Sequence, residues 1–142
     1  METINDIVFG EMSYNHGWVN RKKLEFWGEI IDFKIKVVTY EENIILESQR
    51  KDYQYLESNL EEISNQSYDA VKQYIEDYWD EDIKPYLPDG VNKDVKELVK
   101  PKTILFDEEN VFGILCDCLW DEHGIAIQIL PEIEVGPQDM LL

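Results

Sequence analysis

From Ile31 to Val37 the chain alternates strictly, with Ile31, Phe33, Ile35 and Val37 on one side and Asp32, Lys34 and Lys36 on the other. Just beyond Tyr40 the repeat of the apolar positions lengthens from two residues to about 3.6. That change of period constrains the fold more than any other feature, because strands and helix must then share one core. Strands covered on both faces, as in parallel sheets, read as unbroken apolar runs. The alternation here instead predicts an antiparallel sheet with one core face and one wet face. From about Glu47 to Trp79, the residues Tyr53, Leu56, Leu60, Ile63, Val71, Tyr74, Ile75 and Tyr78 recur at steps of three and four. This is a helical hairpin or one long bent helix, with Ser58 or Ser67 able to cap a second segment.

The flanks complete an α+β plan. Residues 4–12 read as a first strand with Ile7 and Phe9 on one face, Tyr14 to Gly17 as a turn, and the stretch around Leu24 and Phe26 as a second strand. Gly28-Glu29 is a two-residue hairpin candidate leading into the third. Pro85, Pro88 and Gly90 end the helical region; Asn92 then caps a short helix from Lys93 to Val99, which stops before Pro101. Residues 102–136 read as a closing meander. Its strands are Thr103–Phe106, Val111–Cys118 and Ile125–Ile129, with a turn at Asp107–Asn110, an acidic corner at Trp120–Gly124, and a last short strand at Ile133 and Val135 beyond Pro131. The expectation is one domain over 1–142, with N-terminal strands (1–40) and the C-terminal meander packed against a central helical segment (47–99).

Charge narrows the partners. Thirteen basic residues stand against 31 acidic ones, a net charge of −18. Such a field repels nucleic-acid phosphates and anionic lipid and attracts basic proteins, so neither nucleic acid nor membrane is expected. Met1 to Asp6 carry neither the basic start nor the apolar run of a signal peptide, which predicts a cytoplasmic protein. Cys116 and Cys118, two apart on a strand, read as reduced thiols because a disulfide between them would be strained.

The densest polar run is Cys116 to His123. Its Cys-x-Cys spacing does not suit a structural zinc site and no second Cys or His pair exists, so no metal or cofactor is expected. No serine sits in a Gly-x-Ser-x-Gly elbow and the glycines are scattered singly, which leaves no candidate catalytic residue or phosphate loop. Acidic clusters are more informative. Asp107, Glu108 and Glu109 lie on one turn, Asp117, Asp121 and Glu122 on the next corner, and Glu76, Asp77, Asp80, Glu81 and Asp82 follow the helical region. No Lys or Arg lies between residues 107 and 122. The predicted partner-binding set is therefore Glu108, Glu109, Asp117, Trp120, Asp121, Glu122 and His123, with Trp120, Trp18 or Trp27 as an aromatic anchor. Two alternatives stand beside this binding reading. One is a metal-dependent hydrolase built on Asp117, Asp121, Glu122 and His123; the other is an oligomeric adaptor or scaffold that self-associates through the exposed-face strands and the apolar tail Met140 to Leu142.

Several short motifs stand out: Phe9-Gly10, Tyr14 with Gly17-Trp18, Trp27-Gly28, Ser48-Gln49, Asp117 with Trp120-Asp121, His123-Gly124 and Ala126, and the ending Val135 to Asp139. In these the chain resembles a family of small uncharacterised bacterial domains. The resemblance implies an α+β fold and a bacterial cytosolic protein, similar in size and acidity to immunity proteins that neutralise toxins, and it carries no catalytic residues.

Overall fold

A computed structural model describes residues 2–40 and 43–142. The chain first lays down strands β1 (Thr3–Asp6), β2 (Gly10–Tyr14), β3 (Trp18–Phe26) and β4 (Glu29–Val37). Helices α1 (Glu47–Ser58), α2 (Leu60–Asp77) and α3 (Val95–Leu98) follow, with a π-helical turn at Trp79–Ile83 between the last two. Strands β5 (Val99–Phe106), β6 (Phe112–Cys118), β7 (Asp121–Leu130) and β8 (Glu134–Pro137) close the chain. All eight strands form one sheet, each beside its neighbours in sequence. The α+β class read from the sequence holds.

Every pairing is antiparallel except that of β4 with β5, where Lys34 to Val37 run alongside Thr103 to Phe106. The helical segment is the reason: a parallel neighbour requires the chain to be carried back to the starting end of the sheet, and the helices do this.

Residues 4–12 are two strands of a hairpin, not the single strand expected. The Asp6 carboxylate accepts hydrogen bonds from the Val8 and Phe9 amides, both at 3.0 Å, and closes the turn. Ile7 is consequently 92% exposed at the tip while Phe9 is wholly buried, so the two do not share a face. Arg50 of α1 binds the other Asp6 oxygen at 2.7 Å. Burial opposes ionisation of Asp6, but the bonds from Arg50, Phe9 and Val8 outweigh it and hold the carboxyl below its ordinary range.

The β3–β4 turn falls at Trp27-Gly28, one residue earlier than expected, with φ of 54° and 75°. A left-handed tryptophan is costly, and α2 holds it there. Ser64 Oγ accepts the Trp27 amide at 2.7 Å, and Ser67 Oγ accepts its indole N–H at 3.1 Å. Ser67 is thus a buried acceptor inside α2, and neither it nor Ser58 is a cap.

The helical break is at Asn59 (φ −125°, ψ 25°). The Asn59 amide still donates to Tyr55, and its carbonyl still accepts from Ile63 at 2.9 Å. Helical bonding therefore enters and leaves a single residue, which bends one long helix and leaves no room for a chain reversal. Gln49 anchors its start by donating to the carbonyls of Val38 (2.6 Å) and Phe106 (3.3 Å), at the ends of the two parallel strands. The later short helix is capped by Asp94, which accepts from Lys96 N at 3.0 Å, not by Asn92. Strand β5 has already begun at Val99, so Pro101 lies within it, beside a bulge.

The main core fills the space between the helices and one sheet face, with Phe33, Ile35, Phe106, Phe112, Ile114 and Ile127 against Leu56, Val71 and Ile75. On the opposite face Leu105, Leu115 and Ala126 pack with Leu141. Part of the tail expected to offer a self-association surface is therefore folded onto its own sheet, although Leu142 is exposed. Gly113 permits this, since a Cβ there would lie 2.5 Å from both Ile127 O and Leu141 Cδ1. Among the described residues no helix is long and apolar enough to cross a membrane.

Candidate functional site

The predicted partner-binding residues do not form one surface. Glu108 and Glu109 occupy the β5–β6 turn, whereas Asp117 to His123 surround the β6–β7 turn. The seven residues of β6 separate them, a span of about 20 Å at a strand's rise. At the first end Asp107 accepts the Glu108 amide at 2.7 Å and the Tyr40 hydroxyl at 3.1 Å. The Tyr40 phenol titrates above its ordinary range, from partial burial first and then from the bond and charge of Asp107.

At the other end the hairpin reverses at Leu119-Trp120, because Cys118 pairs with Asp121. Asp121, Glu122 and His123 therefore begin β7 and are not a free corner. Between the pairs Cys116 with Ile125 and Cys118 with Asp121, strand β7 carries extra residues as a bulge. Gly124 enables the bulge at φ 72°, where any side chain would collide with the Cys116 carbonyl. Asp121 Oδ1 accepts the His123 amide at 2.9 Å. The imidazole itself projects into solvent, 3.7 Å from an equally exposed Glu122 carboxylate. Asp117 is paired with Lys102 Nζ at 2.7 Å, so a base from β5 enters a cluster whose own stretch contains none.

Of the three anchor tryptophans, Trp18 and Trp27 belong to the core at 3% and 6% exposure. Trp18 donates its indole N–H to Asn43 O at 2.7 Å, as Trp27 does to Ser67, so each buried ring has its polar edge satisfied. Trp120 is half-buried against the core.

Neither cysteine is a ready thiolate. Burial pushes the Cys116 thiol far above its ordinary range, and pushes Cys118 up to about 11, so both are protonated at neutral pH. Among the described residues no three His, Cys, Asp or Glu side chains converge as metal ligands would. The hydrolase alternative needs such convergence among Asp117, Asp121, Glu122 and His123.

The fold does assemble a site that the sequence does not announce. Tyr74 and Tyr78, one turn apart at the end of α2, hold their rings at 4.7 Å and 42°. Between them and β8 runs a groove of about 570 Å³, with Asp82, Glu134 and Asp139 among its lining and no Lys or Arg among the described residues that line it. The Tyr74 phenol titrates above its ordinary range, from burial first, then from Tyr78 and from the charges of neighbours that include Asp82 and Asp121. The charges of Asp82 and Asp121, remote from each other in sequence, both act on this one phenol. Sequence reasoning places both tyrosines on the apolar helix face. The one local hint is that this tyrosine pair runs directly into an acidic segment.

Residues 8–142 match the family described as Domain of unknown function (DUF6985). The chain belongs to that family. Comparison with curated proteins and with solved structures returned no match. In this DUF6985 domain the outer face of the β3–β4 hairpin carries mixed charge, with Arg21 ion-paired to Asp32 at 3.1 Å. Arg21 pairs across β3–β4 with Lys34, and Lys23 with Asp32, while Lys36 faces Val19, all on the face turned away from the helices. A second depression surrounds the Trp27-Gly28 tip, lined in part by Ser64, Asn65, Tyr68, Asp69 and Lys96. Its mixed charge sets it apart from the wholly acidic rim of the tyrosine groove.

Proposed function

We propose that this domain is a non-enzymatic binding protein whose acidic end captures a basic protein partner in the cytoplasm, in the manner of an immunity protein that neutralises a basic toxin domain. The observation that supports this most is the groove beside the Tyr74–Tyr78 pair, whose lining gathers Asp82, Glu134 and Asp139 with no Lys or Arg among the described residues. Like charges held together raise the free energy of the isolated protein, and a basic partner relieves that repulsion as it binds. The excess of 31 acidic over 13 basic residues adds a long-range attraction that speeds the approach of a basic partner.

The test is kinetic. A basic partner recovered from source-cell extract at low ionic strength is purified and its association followed by stopped flow. The rate should fall as salt rises, and should fall a further ~10-fold when Asp121 and Glu122 are both replaced by Lys, with the unfolding midpoint unchanged. A rate indifferent to both salt and charge reversal would refute the reading.

A further inference from the structure

We infer that the groove between the Tyr74–Tyr78 pair and β8 is the docking site for that partner, and that it receives an extended basic segment with one Lys or Arg side chain lying against the tyrosine faces. This rests on the binding reading above and adds to it a place and a recognition chemistry.

Three independent features converge there. The first is the sheet edge. The strand order ends at β8, and an edge strand presents unpaired peptide groups to which an extended segment can add. The second is the aromatic wall. Tyr78 is 47% exposed and Tyr74 is half-buried behind it, so one ring face is available to a cation while the other ring is held in place by packing. The third is charge. Asp82, Glu134 and Asp139 are all exposed, and none of the ion pairs among the described residues involves them. An apolar segment would leave these three carboxylates against unpaired surface; a nucleic acid or acidic segment would be repelled. A cationic side chain meets the ring faces and the rim carboxylates together.

The competing depression at the Trp27-Gly28 tip offers no such match. Lys96 lines it, so a cationic side chain would meet a like charge there and no wall of paired tyrosine rings.

The probe is a blocked hexa-arginine peptide, with a Gly-Ser peptide of equal length as the neutral control, titrated calorimetrically into the full chain at low ionic strength. Tyr78→Ala changes no charge and removes a largely exposed ring; it should weaken hexa-arginine binding about 5-fold. Asp82→Asn with Asp139→Asn, both at exposed positions, should weaken it by a similar factor of about 5. Glu25→Gln with Glu29→Gln removes the same charge at exposed positions on β3 and β4, four or more strand spacings (~19 Å) from β8, and should change affinity less than about 2-fold, being beyond the screening length at ~0.1 M salt. Equal losses from the two charge-neutralised pairs, with Tyr78→Ala unaffected, would mean that the peptide is held by the diffuse field; that overturns the groove and leaves the binding reading standing. Failure of the unaltered protein to bind hexa-arginine, or equal binding of the neutral peptide, overturns both. Should Tyr78→Ala lower the melting temperature, the two charge-neutralised pairs decide the matter by themselves.

Discussion

Replacing Asp52 by asparagine should stabilise this protein at neutral pH, and by an amount that depends on pH in a defined way. Asp52 lies on the buried side of α1 at 4% exposure, and its Oδ2 has no hydrogen-bond partner. Burial raises its pKa from 3.8 to about 6. Between those two values the folded state holds a proton that the unfolded state has released. The stability contributed by this group is therefore greatest below pH 3.8 and falls as pH rises through 6. Above pH 6 the ionised carboxylate is carried into the core at a cost of about 3 kcal/mol relative to its acid form. Asparagine keeps the shape and stays neutral at every pH. Urea unfolding of the two proteins, chosen over guanidinium because the latter would screen the net charge, should show the Asp52→Asn variant more stable by about 2–3 kcal/mol at pH 8 and by about 1 kcal/mol at pH 4.5. A variant less stable than the parent at pH 8 would show that the ionised carboxylate makes a favourable contact, and the reasoning would fail.

Two further substitutions test contacts that the sequence does not reveal. Arg50→Ala leaves Asp6 buried without its charged partner, and unfolding should become easier by about 3 kcal/mol at pH 7. Because the Asp6 pKa is lowered in the fold, that difference is present above pH 3.8 and should shrink as acid titrates the carboxylate, which a pH series of urea melts would show. Ser67→Ala orphans the Trp27 indole N–H and should cost about 1–3 kcal/mol, measured by the same urea unfolding. Full stability in the Ser67→Ala variant would mean that the left-handed Trp27 turn is held by other contacts.

Acidity alone says little about where a partner would sit. Glu108 and Glu109 are adjacent in sequence to the run that ends at His123, yet an extended strand carries the two groups to opposite ends of the sheet. Asp82 and Glu134 are remote in sequence, yet the fold places both along one groove. The identity of the acidic residues was legible; their grouping was not.

What the sequence determined by itself is what local period and composition control: the α+β class, the half-wet strand from Ile31 to Val37, the long helical segment, the turn at Asp107–Asn110 and the acidic surface. Each follows from residues within a turn or two of one another, where the pattern of burial is written directly into side-chain spacing. The tertiary structure alone decided the split of residues 4–12 into a hairpin, which draws on Arg50 some 44 residues away. It alone placed the tryptophan turn on α2, bent the helix at Asn59 and folded Leu141 back onto the sheet. These depend on hydrogen bonds and close packing between segments distant in the chain, whose partners are chosen by the whole fold and leave no mark in any one stretch of sequence.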